Sequence, residues 1–249
     1  MRLKLIACKV LTREISALSA VCPHYIDVTF LRQGFHNDPA LLQKTLQAEI
    51  DRIDRGEDIY SCSGSMPDYD AILLAYGMCG GGTCGVTSRK YSIVLPRAAD
   101  CITLLLGNRE RYRRAFEEES GTFWYTEGWV ENSPVPDGKN EKAAYEKYRR
   151  IYDEESARFL AAEEESFVGN YRRAAVIGTR GTDSSAAKQA AKKAADAYDW
   201  NYIEYEYDDR LLSRLLNGDW DASDFLILPK GHSARPSYGE DIVEDAEDC

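Results

Sequence analysis

The sequence predicts an α/β protein: two Rossmann-like parallel-sheet halves with a helical connector and a cleft between them. Short apolar strands alternate with helical segments at both ends of the chain. Such alternation favours parallel strands joined by right-handed crossovers. The periodicity is lost between them, so we predict an N-terminal α/β half over 1–120, an aromatic loop and helical connector over 121–170, and a C-terminal α/β half over 171–249 with an acidic tail.

The first half contains four predicted strands, in LKLIACKV, YIDVTFL, YDAILLAYG and YSIVLP. Each is a short apolar run or is rich in β-branched and aromatic residues, as strands are. Helices are predicted from REISALSAVC and DPALLQKTLQAEIDRIDR, which have helical spacing. In the second of these, Asp38 is placed to cap the helix and Pro39 to occupy its first turn. After Cys101, ITLLLGNRERYRRAFEEE predicts a helix start that continues into a charged helix.

The middle and C-terminal regions differ in character. GTFWYTEGWVENSPVPDGKN is aromatic and non-periodic, which predicts a loop, and EKAAYEKYRRIYDEESARFLAAEE predicts a long helical stretch. From about residue 171, strands are predicted in RRAAVIGTRGTD, WNYIEYEYD and SDFLILPKGHS. The helices between them are predicted in SSAAKQAAKKAADAYD and DRLLSRLLNGDWD, which restores the α/β alternation.

Charge and hydropathy exclude some classes of partner. The net charge of −11 argues against a nucleic-acid partner, because phosphate binding needs a basic surface. No apolar run approaches the ~18–20 residues that span a bilayer. MRLKLIACKV lacks the pattern of a signal peptide, so we expect no membrane partner and a cytoplasmic location. Disulfides are rare in that compartment, and the seven cysteines are an odd number.

Three cysteines follow predicted strands at their carboxyl ends: Cys8, Cys79 and Cys101. Ligands of open parallel sheets bind beyond those ends. Three thiolates suit a soft metal, either iron in a cluster or zinc with a fourth ligand, and they leave one coordination position open. The chain has no CxxC spacing, which excludes a zinc ribbon or a ferredoxin-type loop. A lone cysteine at a strand end is usually core filling, but three at equivalent ends favour a metal site.

Glycines follow Cys79 directly, at Gly80, Gly81 and Gly82. Without side chains they would let the backbone approach an inorganic centre and present amides to its sulfides or to an anion. We treat the remaining cysteines as incidental to the site: Cys22, Cys62, Cys84 and Cys249.

Candidate catalytic groups are few. His232 follows the predicted strand FLILP, and it is a candidate acid–base group or fourth ligand; His36, in the turn GFHNDP, is a weaker alternative. Arg97 and Asp100 flank a proposed ligand in PRAADC, where they could bind a substrate carboxylate, orient a neighbour or form a plain surface ion pair.

A second candidate binding loop occurs in IGTRGTD. It matches neither GxGxxG nor the P-loop lysine pattern. Thr179, Gly181 and Thr182 could hold an anion at the N-terminus of the following helix. A tight turn capped by Asp183 or Ser184 explains the same residues.

The chain resembles the DUF1638 family, whose members come from anaerobic bacteria and methanogenic archaea. The resemblance covers LKLIACKVL, DVTFLRQGFHNDP, YDAILLAYGMCG, PRAADCITLLLGNRERY, GTFWYTEGW and LLNGDWDASDFLILPKGH. The family pattern includes cysteines that match Cys8, Cys79 and Cys101 but not Cys84. The resemblance implies a role in anaerobic one-carbon metabolism beside corrinoid-dependent methyltransferases, without a defined reaction.

Three functions follow from these residues. The first is a [4Fe-4S] cluster on the three cysteines, whose open iron acts on a small-molecule substrate in the cleft. The second is zinc on the same thiols, serving methyl transfer. The third is a metal-free accessory module that docks a corrinoid protein or methyltransferase, with its contact surface at Phe123, Trp124, Tyr125 and Trp129.

Overall fold

The fold is taken from a computed structural model of the chain, in which two compact units can be distinguished. Unit 1 comprises residues 1–112 and 208–249, and unit 2 comprises residues 113–207. The structure describes residues 1–34, 38–57, 68–137, 140–179, 181, 183–237, 239 and 241–247, without the side chains of 140–143, 164 and 165.

Unit 1 is built on a five-stranded sheet. Its strands, in spatial order, are β2 (Tyr25–Leu31), β1 (Arg2–Cys8), β3 (Ala71–Ala75), β4 (Ile93–Pro96) and β8 (Phe225–Leu228). The first four strands are parallel, and β8 pairs antiparallel with β4. The interior strand β1, between β2 and β3, is buried on both faces along nearly its whole length, as expected when helices cover a parallel sheet. The antiparallel pair β9 (Ala234–Pro236) and β10 (Val243–Asp245) follows β8 in the chain.

Two helices of unit 1 have ends that local chemistry explains. Asp38 caps α2 by accepting a hydrogen bond from the Leu41 amide (3.0 Å), and Pro39 occupies its first turn, which confirms both predictions. Gly107 ends α3 in the left-handed conformation. The helices are α1 (Thr12–Val21), α2 (Pro39–Asp54), α3 (Cys101–Leu106) and α9 (Arg210–Asn217), and α4 (Arg109–Glu118) begins in unit 1 and ends in unit 2.

Unit 2 contains a three-stranded parallel sheet of order β5-β6-β7. Its core joins the buried alanines of α8 to aromatic residues such as Tyr125 and Trp200. The strands are β5 (Thr122–Tyr125), β6 (Arg173–Ile177) and β7 (Asn201–Tyr205), and the helices are α5 (Glu127–Asn132), α6 (Asn140–Tyr148), α7 (Glu154–Glu165) and α8 (Ser185–Tyr198).

These units correct the predicted domain boundaries. Residues 208–249 do not continue a C-terminal half that begins at 171, because β8 pairs with β4 in the sheet of unit 1. The segment 121–170 is not a connector either, since it supplies β5 to the sheet of unit 2. The apolar run of β8 predicts a strand but contains no information about the sheet that it joins.

The fold class itself is confirmed: the chain is a mixed α/β protein with parallel sheets. The predicted long helix of the middle region is divided into α6 and α7. Within the described ranges, each helix is too short or too polar to cross a membrane.

Candidate metal site

Cys8 lies at the edge of the unit 1 sheet where the parallel strands β1, β3 and β4 end, which we call the carboxyl edge. The register of β1 and β3 pairs Ala7 with Ala75. Continuing this register by one residue places Cys8 beside Tyr76. The first predicted ligand is therefore adjacent to the start of the segment that contains Cys79.

Two backbone hydrogen bonds bring the loop after β3 against the loop after β4. The Met78 amide donates to the Ala98 carbonyl oxygen (2.7 Å), and the Cys79 amide donates to the Ala99 carbonyl oxygen (2.9 Å). These bonds hold Cys79 beside the residues that immediately precede Cys101. The structure thus brings all three predicted cysteines to the carboxyl edge.

The turn after β3 has an uncommon backbone conformation. Cys79 has a φ of +49°, and Gly80 and Gly81 follow with +67° and +95°. The left-handed region costs a non-glycine residue roughly 1–2 kcal/mol, and such strain often accompanies functional sites. The tertiary contacts of this loop therefore hold the backbone of Cys79 in a conformation that a non-glycine residue does not prefer.

The glycines that follow Cys79 serve the turn and its packing. The Gly81 amide donates to the Met78 carbonyl (3.0 Å), and the Gly82 amide donates to the Cys79 carbonyl (3.2 Å). A Cβ at Gly82 would lie 2.6 Å from a methyl group of Leu42, so this glycine lets α2 approach. The amides of Gly81 and Gly82 are thus used within the turn, and a role of these three glycines toward a cofactor stays a prediction.

Asp100 fixes the position of Cys101 at the start of α3. One of its carboxylate oxygens accepts from the amides of Ile102 (3.0 Å) and Thr103 (3.2 Å), and the other accepts from the Tyr112 hydroxyl (3.0 Å). Both oxygens are therefore engaged in capping and bracing the helix. The predicted catalytic role of Asp100 stays a prediction beside this structural one.

All three thiols have raised pKa values. Burial raises the pKa of Cys79 to about 12, with further contributions from the charges of Asp100 and Cys8. Burial also raises the pKa of Cys8. The pKa of Cys101 is raised well above its usual value, first by burial and then by the charges of Asp100, Cys8 and Cys79. The folded chain therefore holds these thiols in their protonated form at neutral pH, and any metal ion that they bound would have to displace the protons.

The three sulfurs are close enough to interact electrostatically but are not packed around one point. Among the described residues, one group of at least three metal-binding side chains has all its ligand atoms within 4.8 Å of one another, and it contains no cysteine. A tetrahedral zinc ion with Zn–S bonds of about 2.3 Å would bring its sulfurs to about 3.8 Å apart. The thiols are thus spaced more widely than one zinc ion requires.

Tyr76 is a residue of this edge that the sequence analysis missed. It follows β3 directly, and its side chain is only 4% exposed. Its position directly after the apolar run of β3 and before Gly77 was a usable signal, because residues just beyond a buried parallel strand lie at the edge where ligands of such sheets bind.

His232 belongs to the group without cysteines, together with Asp245 and Glu247. Its Nδ1 lies 2.8 Å from a carboxylate oxygen of Asp245. Burial opposes ionisation of Asp245, but hydrogen bonds from the Glu247 amide and His232 outweigh it, and the pKa of Asp245 is lowered. A carboxylate that orients an imidazole suits acid–base chemistry. Whether His232 acts on a substrate or completes a metal site stays a prediction.

Arg97 is directed at the backbone of unit 1. Its guanidinium donates to the carbonyl oxygens of Ala222 (2.9 Å) and Val243, and it lies 3.9 Å from the Asp241 carboxylate. These bonds tie the loop after β4 to β10. The proposed binding of a substrate carboxylate by Arg97 stays a prediction.

The described residues of the second candidate loop, in unit 2, lie between β6 and α8. Gly181 has a φ of +73°, and the Ser184 hydroxyl accepts from the Thr179 amide (3.3 Å). Thr179 and Ser184 line a pocket of about 590 Å³ together with residues such as Lys188.

Two of the protein's own carboxylates occupy the start of α8. Glu127 accepts a hydrogen bond from the Ala187 amide (3.0 Å), and Asp183 accepts one from the Ser185 amide (3.0 Å). Like charges repel, so this arrangement weighs against a phosphate or another anion at this helix end. The predicted anion site of Thr179 and Gly181 is therefore the weaker of the two candidate sites.

The remaining candidate residues divide into two groups. Cys22 donates to the Leu216 carbonyl oxygen (3.3 Å), which gives it a local packing role, and Cys84 is half-buried. The other candidates lie outside the described residues: His36, Cys62, Thr182 and Cys249.

The fold and this edge define an α/β protein with three cysteines at the carboxyl edge of its first sheet. A family model described as "Protein of unknown function (DUF1638)" matches residues 30–216, so the chain belongs to the DUF1638 family. The match includes Cys79 and Cys101 but not Cys8 or His232. Searches of curated proteins and of solved structures found no match.

Proposed function

We propose that the protein binds a metal centre, a [4Fe-4S] cluster, through Cys8, Cys79 and Cys101, and that this centre acts on a small molecule. The observation that supports it is the convergence of three thiols from three separate segments at the carboxyl edge of one sheet. Three cysteine ligands leave one iron open, and an open iron supplies Lewis-acid or electron-transfer chemistry.

The spacing of the thiols favours a cluster over a single zinc ion. A cluster places several irons and sulfides between its thiolates, so its ligands stand further apart than those of one ion. The sulfurs of Cys8, Cys79 and Cys101 are not all within 4.8 Å of one another. This spacing is wider than the about 3.8 Å that one zinc ion imposes on its sulfur ligands. Zinc for methyl transfer is therefore the alternative.

The docking-module alternative assigns its contact surface to aromatic residues that also pack within unit 2. Tyr125 is buried, and Phe123 packs against Tyr171 with ring centroids 5.1 Å apart. Trp124 packs against Tyr205 with ring centroids 5.1 Å apart, and Trp129 packs against the core of unit 2. These aromatic residues are used within their own unit, so they are poor candidates for a corrinoid-protein or methyltransferase contact.

The metabolic setting rests on the family resemblance alone. It includes a role in anaerobic one-carbon metabolism beside corrinoid-dependent methyl transfer. The cytoplasmic location is proposed from the charge and hydropathy of the sequence, and the Rossmann-like arrangement is proposed from the alternation of strands and helices. His232, held by Asp245, is the proposed acid–base group. Arg97 and Asp100 are the proposed substrate-binding groups.

Anaerobic purification tests the proposal. The protein should be brown, with stoichiometric iron and acid-labile sulfide, and the Cys8→Ser, Cys79→Ser and Cys101→Ser variants should each lose most of both. Cys22→Ser is the matched control, because Cys22 is partly buried but bonded to Leu216, and it should keep the wild-type content. Zinc alone, without visible absorption, would favour the alternative. A metal-free protein after anaerobic reconstitution would overturn both.

A further inference from the structure

The Tyr76 hydroxyl is a buried polar group without a hydrogen-bond partner among the described residues. Its side chain is 96% shielded from solvent, and it lies between the last residue of β3 and Gly77. Burying a hydroxyl without a partner is unfavourable, and proteins usually avoid it. An orphaned hydroxyl at a ligand-binding edge therefore indicates that its partner is a ligand.

The surroundings of this hydroxyl identify the ligand atoms that it would meet. Burial is the largest factor that raises the pKa of Tyr76, and the charges of Cys8, Cys79 and Cys101 raise it further. The hydroxyl thus lies within electrostatic reach of all three thiols, and the register of β1 and β3 places Tyr76 beside Cys8. A tyrosine hydroxyl close to thiolates donates a hydrogen bond to sulfur.

We propose that the Tyr76 hydroxyl donates a hydrogen bond to a sulfur of the metal centre held by Cys8, Cys79 and Cys101, and thereby sets its reduction potential. This inference rests on the proposed function. A donor to sulfur stabilises the more negative, reduced form, so it makes reduction more favourable. Tyr76 is thus a positioning and tuning residue rather than a ligand.

A purely structural role predicts a different behaviour. If Tyr76 only fills space with its ring, Tyr76→Phe retains the packing and leaves every property of the centre unchanged. If the hydroxyl bonds to sulfur, the same substitution changes the electronic properties of the centre without removing a ligand. The two roles therefore differ in the potential and in metal affinity.

The experiment compares wild-type protein with Tyr76→Phe, both reconstituted anaerobically with ferrous iron and sulfide. Iron and sulfide are quantified, and the potential is measured by redox titration of the visible absorbance. We expect a shift to more negative potential in Tyr76→Phe. We also expect its iron to be bound about tenfold more weakly in competition with a chelator.

Tyr125→Phe is the matched control. The hydroxyl of Tyr125 is also buried, but it donates to the Pro136 carbonyl oxygen (2.8 Å) in unit 2. Its removal should leave the potential and the iron affinity at wild-type values.

The outcomes separate the two proposals. Wild-type protein that takes up no iron overturns the proposed function. Wild-type protein that loads iron, with Tyr76→Phe unchanged in potential and iron affinity, overturns the inference alone. Circular dichroism of the apoprotein checks folding, which we expect to be intact because no bond of the hydroxyl is lost. A Tyr76→Phe chain that does not fold would make Tyr76 structural and would also overturn the inference.

Discussion

Gly77 lies so close to Asp100 that a Cβ at position 77 would fall 2.4 Å from the Asp100 backbone nitrogen. The contact atoms are backbone, which cannot swing aside as the end of a flexible side chain can. This contact lets the loop that contains Cys79 lie directly against the start of α3, where Cys101 is found.

Gly77→Ala should therefore separate the two loops and weaken metal loading. Overpacking of this kind costs about 1–3 kcal/mol of unfolding free energy, which urea unfolding of the apoprotein would measure. Iron content after reconstitution should fall as well. Gly169→Ala is the control, because a Cβ there meets nothing within 4 Å among the described atoms, and it should behave as wild type. Full loading of Gly77→Ala would contradict the proposed convergence of the loops.

The left-handed backbone of Cys79 predicts an unusual order of stability among variants. Cys79→Gly and Cys79→Ala both remove the thiol, but only glycine adopts this conformation without strain. The apoprotein of Cys79→Gly should therefore be more stable than that of Cys79→Ala by about 1 kcal/mol in urea unfolding.

Cys22 provides the comparison for this order. It has a φ of −68°, so Cys22→Ala should be more stable than Cys22→Gly, the reverse of the order at Cys79. The same order at both positions would show that Cys79 is not held in the left-handed region in solution.

The raised thiol pKa values predict that the apoprotein becomes less stable in alkali. In the unfolded chain a thiol ionises near pH 8.5, whereas Cys79 in the folded chain keeps its proton to about pH 12. Between these two pH values the folded state binds more protons than the unfolded state, so the free energy of unfolding falls as the pH rises. The stabilisation of the folded state by the protonated thiol is fully present below about pH 8.5. Above that pH, each such thiol lowers the free energy of unfolding by about 1.4 kcal/mol per pH unit.

Urea unfolding at pH 8, 9 and 10 measures this slope. Cys79→Ser should give a shallower slope than wild type, because serine does not titrate in this range. Identical slopes for the two proteins would exclude the predicted shift at Cys79.

Asp100 combines a helix cap with a charge that acts on two thiols. Its charge raises the pKa of Cys79 and Cys101, and asparagine can replace it as a cap. Asp100→Asn should therefore lower both pKa values and speed alkylation of the apoprotein thiols by iodoacetamide at pH 8. The rate should rise roughly tenfold for each unit by which the pKa falls.

Tyr112→Phe is the control for the charge, because it removes a hydrogen bond to Asp100 and leaves the carboxylate in place. Its alkylation rate should stay near that of wild type. Faster alkylation in Tyr112→Phe than in Asp100→Asn would assign the effect to loosening of the loop.

The local pattern of apolar and capping residues in the sequence predicted the strands and helices of the fold well. The strands that end near Cys8, Tyr76 and Pro96 follow from short apolar runs, and the cap at Asp38 follows from its spacing to α2. The gathering of the three cysteines at one edge was predictable as well, because parallel strands place their carboxyl ends together.

Long-range pairing was not predictable in the same way. The partner of β8 depends on which sheet edge its backbone meets, and the side chains of an apolar strand do not specify that edge. The aromatic segment of β5 lacks the period of a strand, and its inclusion in a sheet became visible only through its pairing with β6. The orphaned hydroxyl of Tyr76 likewise depends on burial by distant residues.

The pairing of β8 with β4 has a consequence for biosynthesis. The Gly85 amide, one residue after Cys84, donates to the Ala234 carbonyl oxygen (2.8 Å), so this loop is anchored by a segment translated after the whole of unit 2. A ribosome-bound chain that ends before residue 208 exposes the open side of β4 and lacks this anchor. We therefore expect the loop that contains Cys79 and Cys84 to reach its final conformation late, after the segment that contains Ala234 has left the exit tunnel.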